Sequence, residues 1–97
     1  MRQDVLARRY MVSGRVQGVG YRNYVEHVAS KLEVYGYVRN RRDGSVEVFA
    51  ISTPERLKQF RFALEKGPML ARVTDVREEP DHVEEKYLGY FIIEITI

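Results

Sequence analysis

The sequence contains no cysteine, and its 97 residues include only two histidines. Without cysteine the chain has neither a disulfide framework nor a thiolate metal site, which suits a reducing cytosol, so we expect a cytoplasmic protein. No uninterrupted apolar run approaches the roughly 20 residues that span a bilayer, so we expect no membrane partner. Arg8 and Arg9 interrupt the apolar stretch near the start, where we expect no signal peptide.

The two histidines do not form a metal-binding pattern. His27 falls within a predicted helix and His82 within an acidic segment, and they do not show the short spacing of paired ligands. Both are interpreted as ordinary surface or boundary residues. We therefore expect no metal site.

The composition is that of a small globular protein, with 44% apolar and 31% charged residues. This length allows one modest core, so we expect a single domain over residues 1–97. Residues 1–44 carry nine Lys and Arg against four Asp and Glu, whereas the remainder carries seven against ten. This asymmetry favours an anionic partner for the first half, although the excess is too small to indicate a long polyanion.

Hydrophobic periodicity predicts five strands and two helices. The predicted strands cover residues 6–13, 35–40, 45–51, 71–79 and 90–97. The first helix is predicted over residues 22–33, and the second begins at Pro54 after a Thr53 cap and ends before Gly67. The acidic segment 78–86 is predicted to be a solvated loop. This order is typical of an α+β, ferredoxin-like βαββαβ sandwich, with an antiparallel or mixed sheet, two helices on one face and an additional short C-terminal strand.

A glycine-rich segment, "GRVQGVGYRN" at residues 14–23, joins the first strand to the first helix. Glycine loses much conformational entropy on ordering, so three glycines in seven residues indicate either a tight turn or an anion site. Alternating glycines let backbone N–H groups turn inward as a nest, and the following helix adds unpaired N–H groups. Arg22, in the first helical turn, has a planar guanidinium that suits two phosphate oxygens.

Two known nucleotide-binding loops do not match this segment. A Walker loop requires Lys and then Ser or Thr after its last glycine, where this chain has Tyr21 and Arg22. The dinucleotide fingerprint requires a small residue where Asn23 stands. We therefore expect no nucleotide cofactor, and the choice between a simple turn and an anion site stays open on these grounds alone.

Three segments resemble the signatures of the acylphosphatase family. "GRVQGVGYR" (residues 14–22) resembles its phosphate-binding signature, "GYVRNRRDGSVEV" (36–48) its second signature, and "GPMLARVTDV" (67–76) a later segment. The resemblance covers nearly the whole chain in the family's order. It implies a monomeric enzyme that hydrolyses small acyl phosphates to carboxylate and phosphate without a metal or cofactor, and a site that would bind phosphate or sulfate.

The resemblance also implies roles for individual residues. The backbone of five residues would cradle the phosphate: Gln17, Gly18, Val19, Gly20 and Tyr21. Arg22 would be the charged clamp, and Asn40 would orient the attacking water. An acyl phosphate is already activated, so a positioned water suffices without a strong nucleophile.

Some residues depart from the family's pattern. Tyr21 stands where the family often has Phe, and its hydroxyl needs a partner. Glu33 stands where a glycine commonly ends the first helix, so we expect a less sharply capped helix end. Arg41 is interpreted as a solvated turn charge, like Arg42, whereas Arg39, like Arg15, is a candidate for raising the positive potential around the substrate.

Three other functions are alternatives to this one. An RNA-recognition domain shares the element order, but the predicted third strand lacks its basic-Gly-aromatic opening, so we expect no nucleic-acid partner. A ferredoxin-like metal carrier would need a Cys-x-x-Cys loop. A regulatory domain that binds phosphate without turnover stays open, although the presence of Arg22 and Asn40 argues against it.

Overall fold

The computed structural model describes residues 4–95 as five strands, two α-helices and one 3₁₀ turn. The strands are β1 (Leu6–Arg15), β2 (Tyr35–Asn40), β3 (Val46–Ser52), β4 (Arg72–Asp81) and β5 (Phe91–Glu94). The helices are α1 (Tyr21–Leu32) and α2 (Pro54–Lys66), and the 3₁₀ turn is Glu85–Tyr87. The predicted element order is confirmed. Neither α-helix in this part of the chain is long and apolar enough to cross a membrane.

The strands form one mixed sheet in the order β4-β1-β3-β2-β5. β1 runs antiparallel to β3 and β4, β2 runs antiparallel to β3, and the short β5 joins the edge parallel to β2. The register of β1 against β4 shifts between Ser13 and Gly14. Gly14 has φ 121°, and a Cβ there would lie 2.1 Å from the carbonyl oxygen of Arg72. Glycine is therefore required at this bulge, where β1 leads into the glycine-rich loop.

Both helices pack on one face of the sheet and bury the main core there. Val25 and Ala29 of α1 and Leu57, Phe60 and Leu64 of α2 are buried against it. The other face carries a smaller apolar cluster of Ala7, Tyr37, Phe49, Ile51 and Tyr87. The ferredoxin-like arrangement, with two helices on one face, is confirmed.

The ends of α2 follow the predicted pattern. The Thr53 hydroxyl accepts a hydrogen bond from the Arg56 amide (3.3 Å), Pro54 is the first helical residue, and Gly67 closes the helix with φ 66°. This helix therefore begins and ends where its capping residues predict.

The second half of the chain differs from the prediction in two places. β4 continues to Asp81, so the first part of segment 78–86 is a strand rather than a loop. The edge position of β4 explains this, because an edge strand accommodates Pro80, whose nitrogen cannot donate to a neighbour. β5 covers only Phe91–Glu94, and residues 96 and 97 of the predicted final strand lie outside the described residues.

Helix α1 keeps a left-handed end although it lacks the glycine. Glu33 has φ 57° and ψ 49°, and its amide donates to the carbonyls of Ala29 and Ser30. The expectation of a poorly capped end is therefore wrong, because Glu33 adopts the glycine-like conformation. Left-handed backbone is unfavourable for a residue with a Cβ, so the cap is made at a cost in stability.

We expect Glu33→Gly to stabilise the protein by about 0.5–1 kcal/mol, because glycine adopts this conformation without the Cβ clash. Glu33→Ala is the matched control, since it also removes the exposed ion pair with Arg56 but keeps the Cβ. Urea denaturation measures both free energies of unfolding. A glycine variant no more stable than the alanine variant would contradict the strain at this cap.

Candidate active site

The loop between β1 and α1 turns through two left-handed glycines. Gly18 has φ 73° and Gly20 has φ 80°, and a Cβ at either would meet nothing within 4 Å. Glycine is therefore needed at both positions for its left-handed conformation, and not because a larger side chain would clash. Left-handed residues that alternate with right-handed or extended ones form backbone nests, in which successive N–H groups face one concave side.

Helix α1 begins directly after this loop. The first hydrogen bond of the helix runs from the Tyr24 amide to the Gly20 carbonyl (3.1 Å), so the amides of Tyr21, Arg22 and Asn23 have no acceptor within the helix. No side chain caps this end, and its first turn contains no acidic residue. The positive end of the helix dipole is thus left available to an anion.

A cleft of about 350 Å³ opens at this helix end. It brings together five of the candidate residues from two separate segments: Gly18, Gly20, Tyr21, Arg22 and Asn40. The remaining lining residues are Val16, Asn23, Ile93 and Ile95. Arg22 alone carries charge among these described lining residues, so the cleft is electrostatically suited to a small anion.

The other two candidates are not among the residues that line the cleft. Val19 packs partly buried against the main core. The Gln17 side chain crosses to the β2–β3 hairpin, where its Nε2 donates to the carbonyls of Arg41 (2.7 Å) and Ser45 (2.8 Å). Gln17 was expected to act through its backbone, and the structure adds a side-chain bridge from the glycine-rich loop to the segment that follows Asn40.

A buried carboxylate lies behind Asn40. Glu47 of β3 is 1% exposed, and its Oε1 accepts hydrogen bonds from Arg39 Nη2 (3.0 Å) and Arg41 Nη1 (3.0 Å). Its Oε2 accepts from the Tyr37 hydroxyl (2.6 Å). Since Arg39 and Arg41 flank Asn40 in the chain, this carboxylate holds both neighbours of that residue.

This cluster corrects two expectations. The interpretation of Arg41 as a solvated turn charge is wrong, because its guanidinium pairs with the buried Glu47. Arg39, a candidate for raising the potential around the substrate, pairs with Glu47 and approaches Glu94 instead. The sequence held a signal for this pair: the register of the Asp43-Gly44 hairpin places Arg39 directly opposite Glu47.

The cluster keeps Glu47 ionised. Burial by itself would raise the pKa of Glu47, but hydrogen bonds from Tyr37 and Arg39 outweigh burial and hold the pKa below its ordinary value. Burial, together with the hydrogen bond to Glu47, raises the pKa of Tyr37. At neutral pH the pair is therefore a carboxylate that accepts from a neutral phenol.

Two tyrosines fix the start of α1 on the end of α2. The Tyr21 hydroxyl donates to the Leu64 carbonyl (2.8 Å), and the Tyr24 hydroxyl donates to the Ala63 carbonyl (2.8 Å). The expectation that the Tyr21 hydroxyl needs a partner is confirmed. The helix end that borders the cleft is thus anchored by both apolar packing and hydrogen bonds.

Comparison with known proteins relates both sequence and fold to one family. The sequence model of the Acylphosphatase family matches residues 8–93. The chain is 49% identical over 89 residues to an acylphosphatase of Koribacter versatilis, covering 92% of this chain and 80% of that one.

Solved structures agree. The crystal structure of acylphosphatase from Bacillus subtilis matches with a TM-score of 0.86 at 37% identity, covering 92% of this chain and 98% of that one. An acylphosphatase from Coxiella burnetii matches with a TM-score of 0.87 at 31% identity, covering 94% of both chains.

At neutral pH we expect Glu47→Gln to lower the free energy of unfolding by about 2 kcal/mol, because it leaves Arg39 and Arg41 without their carboxylate. The pKa of Glu47 is lower in the folded chain, so its charge stabilises the fold above the unfolded pKa. That stabilisation is lost as pH falls through the folded pKa. The deficit of the variant should therefore shrink below about pH 4.

Urea denaturation between pH 7 and pH 3 measures this deficit. Glu78→Gln is the matched control, since Glu78 pairs with Arg8 and Arg61 at a half-exposed site and should contribute less than about 1 kcal/mol. A deficit for Glu47→Gln that stays constant over the whole pH range would contradict a charge-dependent role.

Proposed function

This chain belongs to the acylphosphatase family, and from that premise we propose that it hydrolyses acyl phosphates to a carboxylate and inorganic phosphate. The reaction takes place in the cleft between the glycine-rich loop and the end of β2. The observation that carries the proposal is the convergence of Gly18, Gly20, Arg22 and Asn40, which come from two segments, around one small cleft.

In this proposal the phosphate is held mainly by backbone. The amides of residues 17–21, in the nest-forming loop and the uncapped start of α1, donate to its oxygens. Arg22 adds a charged fork that binds two oxygens at once. These donors are in place before the substrate arrives, so they also stabilise the charge that develops on the phosphoryl oxygens during transfer.

The nucleophile is a water molecule that Asn40 orients beside the phosphorus. The water oxygen forms a bond to phosphorus while the bond from phosphorus to the bridging oxygen breaks, and the carboxylate departs with that electron pair. A neutral amide is a poor base, so the proton of the water passes to a phosphate oxygen of the substrate. Because the carboxylate is a good leaving group, positioning and charge stabilisation supply most of the catalysis.

The proposed reaction uses no metal. Arg22 and the amides supply the positive charge that a cation provides in many other phosphoryl transfers. We also propose that the chain acts as a single-domain monomer in the cytoplasm. In support of a single domain, this chain covers 98% of the matching chain of the Bacillus subtilis acylphosphatase.

We expect Arg22→Ala and Asn40→Ala to separate binding from turnover in benzoyl phosphate hydrolysis. Arg22→Ala should lower kcat/KM at least about 100-fold and abolish inhibition by inorganic phosphate, because it removes a charged ligand of the anion. Asn40→Ala should lower kcat about 100-fold and retain phosphate inhibition, since Asn40 acts on the water.

Lys58→Ala is the control for a lost positive charge, because Lys58 is exposed on α2 and does not line the cleft. Activity should also be unaffected by a chelator. Turnover of Asn40→Ala at the parent rate would disprove its role toward the water, and loss of activity with chelator would disprove the metal-free reaction.

We expect Gln17→Met to lower kcat about tenfold and to weaken phosphate inhibition, because the loop and the segment after Asn40 lose the two hydrogen bonds that join them. Gln59→Met, at an exposed position of α2, is the matched control. Kinetics and phosphate inhibition of both variants equal to those of the parent would show that the bridge does not position the cleft.

A further inference from the structure

A second, larger cleft runs along α1 beside the 350 Å³ cleft that is proposed to bind phosphate, the phosphate cleft. This groove has a volume of about 670 Å³ and lies between α1 and the chain that leads into β5. One face of α1 lines it at helical spacing, through Asn23, Glu26, His27 and Ser30. None of these side chains has a role in the hydrolysis proposed above.

The groove adjoins the phosphate cleft. Asn23 lines both. Phe91 lines the groove, and Ile93, two residues along the same strand and on the same face of β5, lines the phosphate cleft. From Asn23 to Ser30 the helix rises about 10 Å, enough for an acyl group the size of a substituted benzoyl.

The charge of the lining side chains changes from positive in the phosphate cleft to negative in the groove. The phosphate cleft is lined by Arg22, whereas the groove is lined by the exposed carboxylate of Glu26, which makes no hydrogen bond or ion pair within residues 4–95. Glu33, at the far end of the groove, pairs with Arg56. Ala29 and Val34 are buried beneath and give the groove an apolar floor.

We propose that this groove is the subsite for the acyl part of the substrate, an inference that rests on the proposed function. The apolar floor contacts the hydrocarbon part of the acyl group. The carboxylate of Glu26 favours an acyl group whose far end is neutral or cationic over one whose far end is anionic. Glu26 is therefore a specificity-determining residue, and it favours acyl phosphates without a second negative charge.

Three benzoyl phosphates test the proposal: the unsubstituted compound, one with a 4-aminomethyl group and one with a 4-carboxyl group. At low ionic strength the parent protein should show a kcat/KM about fivefold higher for the aminomethyl than for the carboxyl compound. Glu26→Gln should bring this ratio close to one, and Glu26→Lys should invert it. A ratio of two substrates is insensitive to changes in the fraction of folded enzyme.

Glu55→Gln is the matched control, because it removes the same net charge from α2, where Glu55 does not line the groove. Its ratio should equal that of the parent. Hydrolysis of benzoyl phosphate combined with a ratio that neither Glu26 variant changes would overturn the groove proposal alone. A parent protein that hydrolyses none of the three compounds would overturn the proposed function and the groove with it.

Discussion

The candidate site depends on holding together two segments whose strands are not neighbours in the sheet. β3 lies between β1 and β2, so the loop after β1 and Asn40 at the end of β2 are separated by two strand spacings, about 10 Å. The Gln17 side chain joins the loop to the β2–β3 hairpin, where it donates to the carbonyls of Arg41 and Ser45. One amide group thus fixes the loop that would hold the phosphate relative to the residue that would hold the water.

Further hydrogen bonds hold the segments on both sides of the cleft in place, in addition to those of Gln17. Behind Asn40, the carboxylate of Glu47 binds the guanidinium groups of its two chain neighbours. On the helical side, Tyr21 and Tyr24 tie the start of α1 to the end of α2. A site that acts by preorganised donors needs such rigidity, because donors that must reorient during the reaction lose most of their advantage.

Local rules predicted most of the fold. Thr53, Pro54 and Gly67 bound α2 through their own backbone preferences, and the element order led to the ferredoxin-like arrangement. The site residues were predicted from the resemblance to the acylphosphatase signatures and not from the composition. The bridge of Gln17 depends on the distance between two segments in three dimensions, which no local pattern contains. The left-handed Glu33 was not predicted, because the hydrogen bonds of its amide to the Ala29 and Ser30 carbonyls outweigh a conformational preference.

We propose that the backbone amides at the turn into α1 bind the anion. This proposal is tested by titrating the ¹⁵N-labelled protein with inorganic phosphate and following the amide chemical shifts. We expect saturable shifts that are largest for the backbone amides of residues 17–21 and for the side-chain amide of Asn40. Shifts that are absent there, or largest at another helix end, would contradict it.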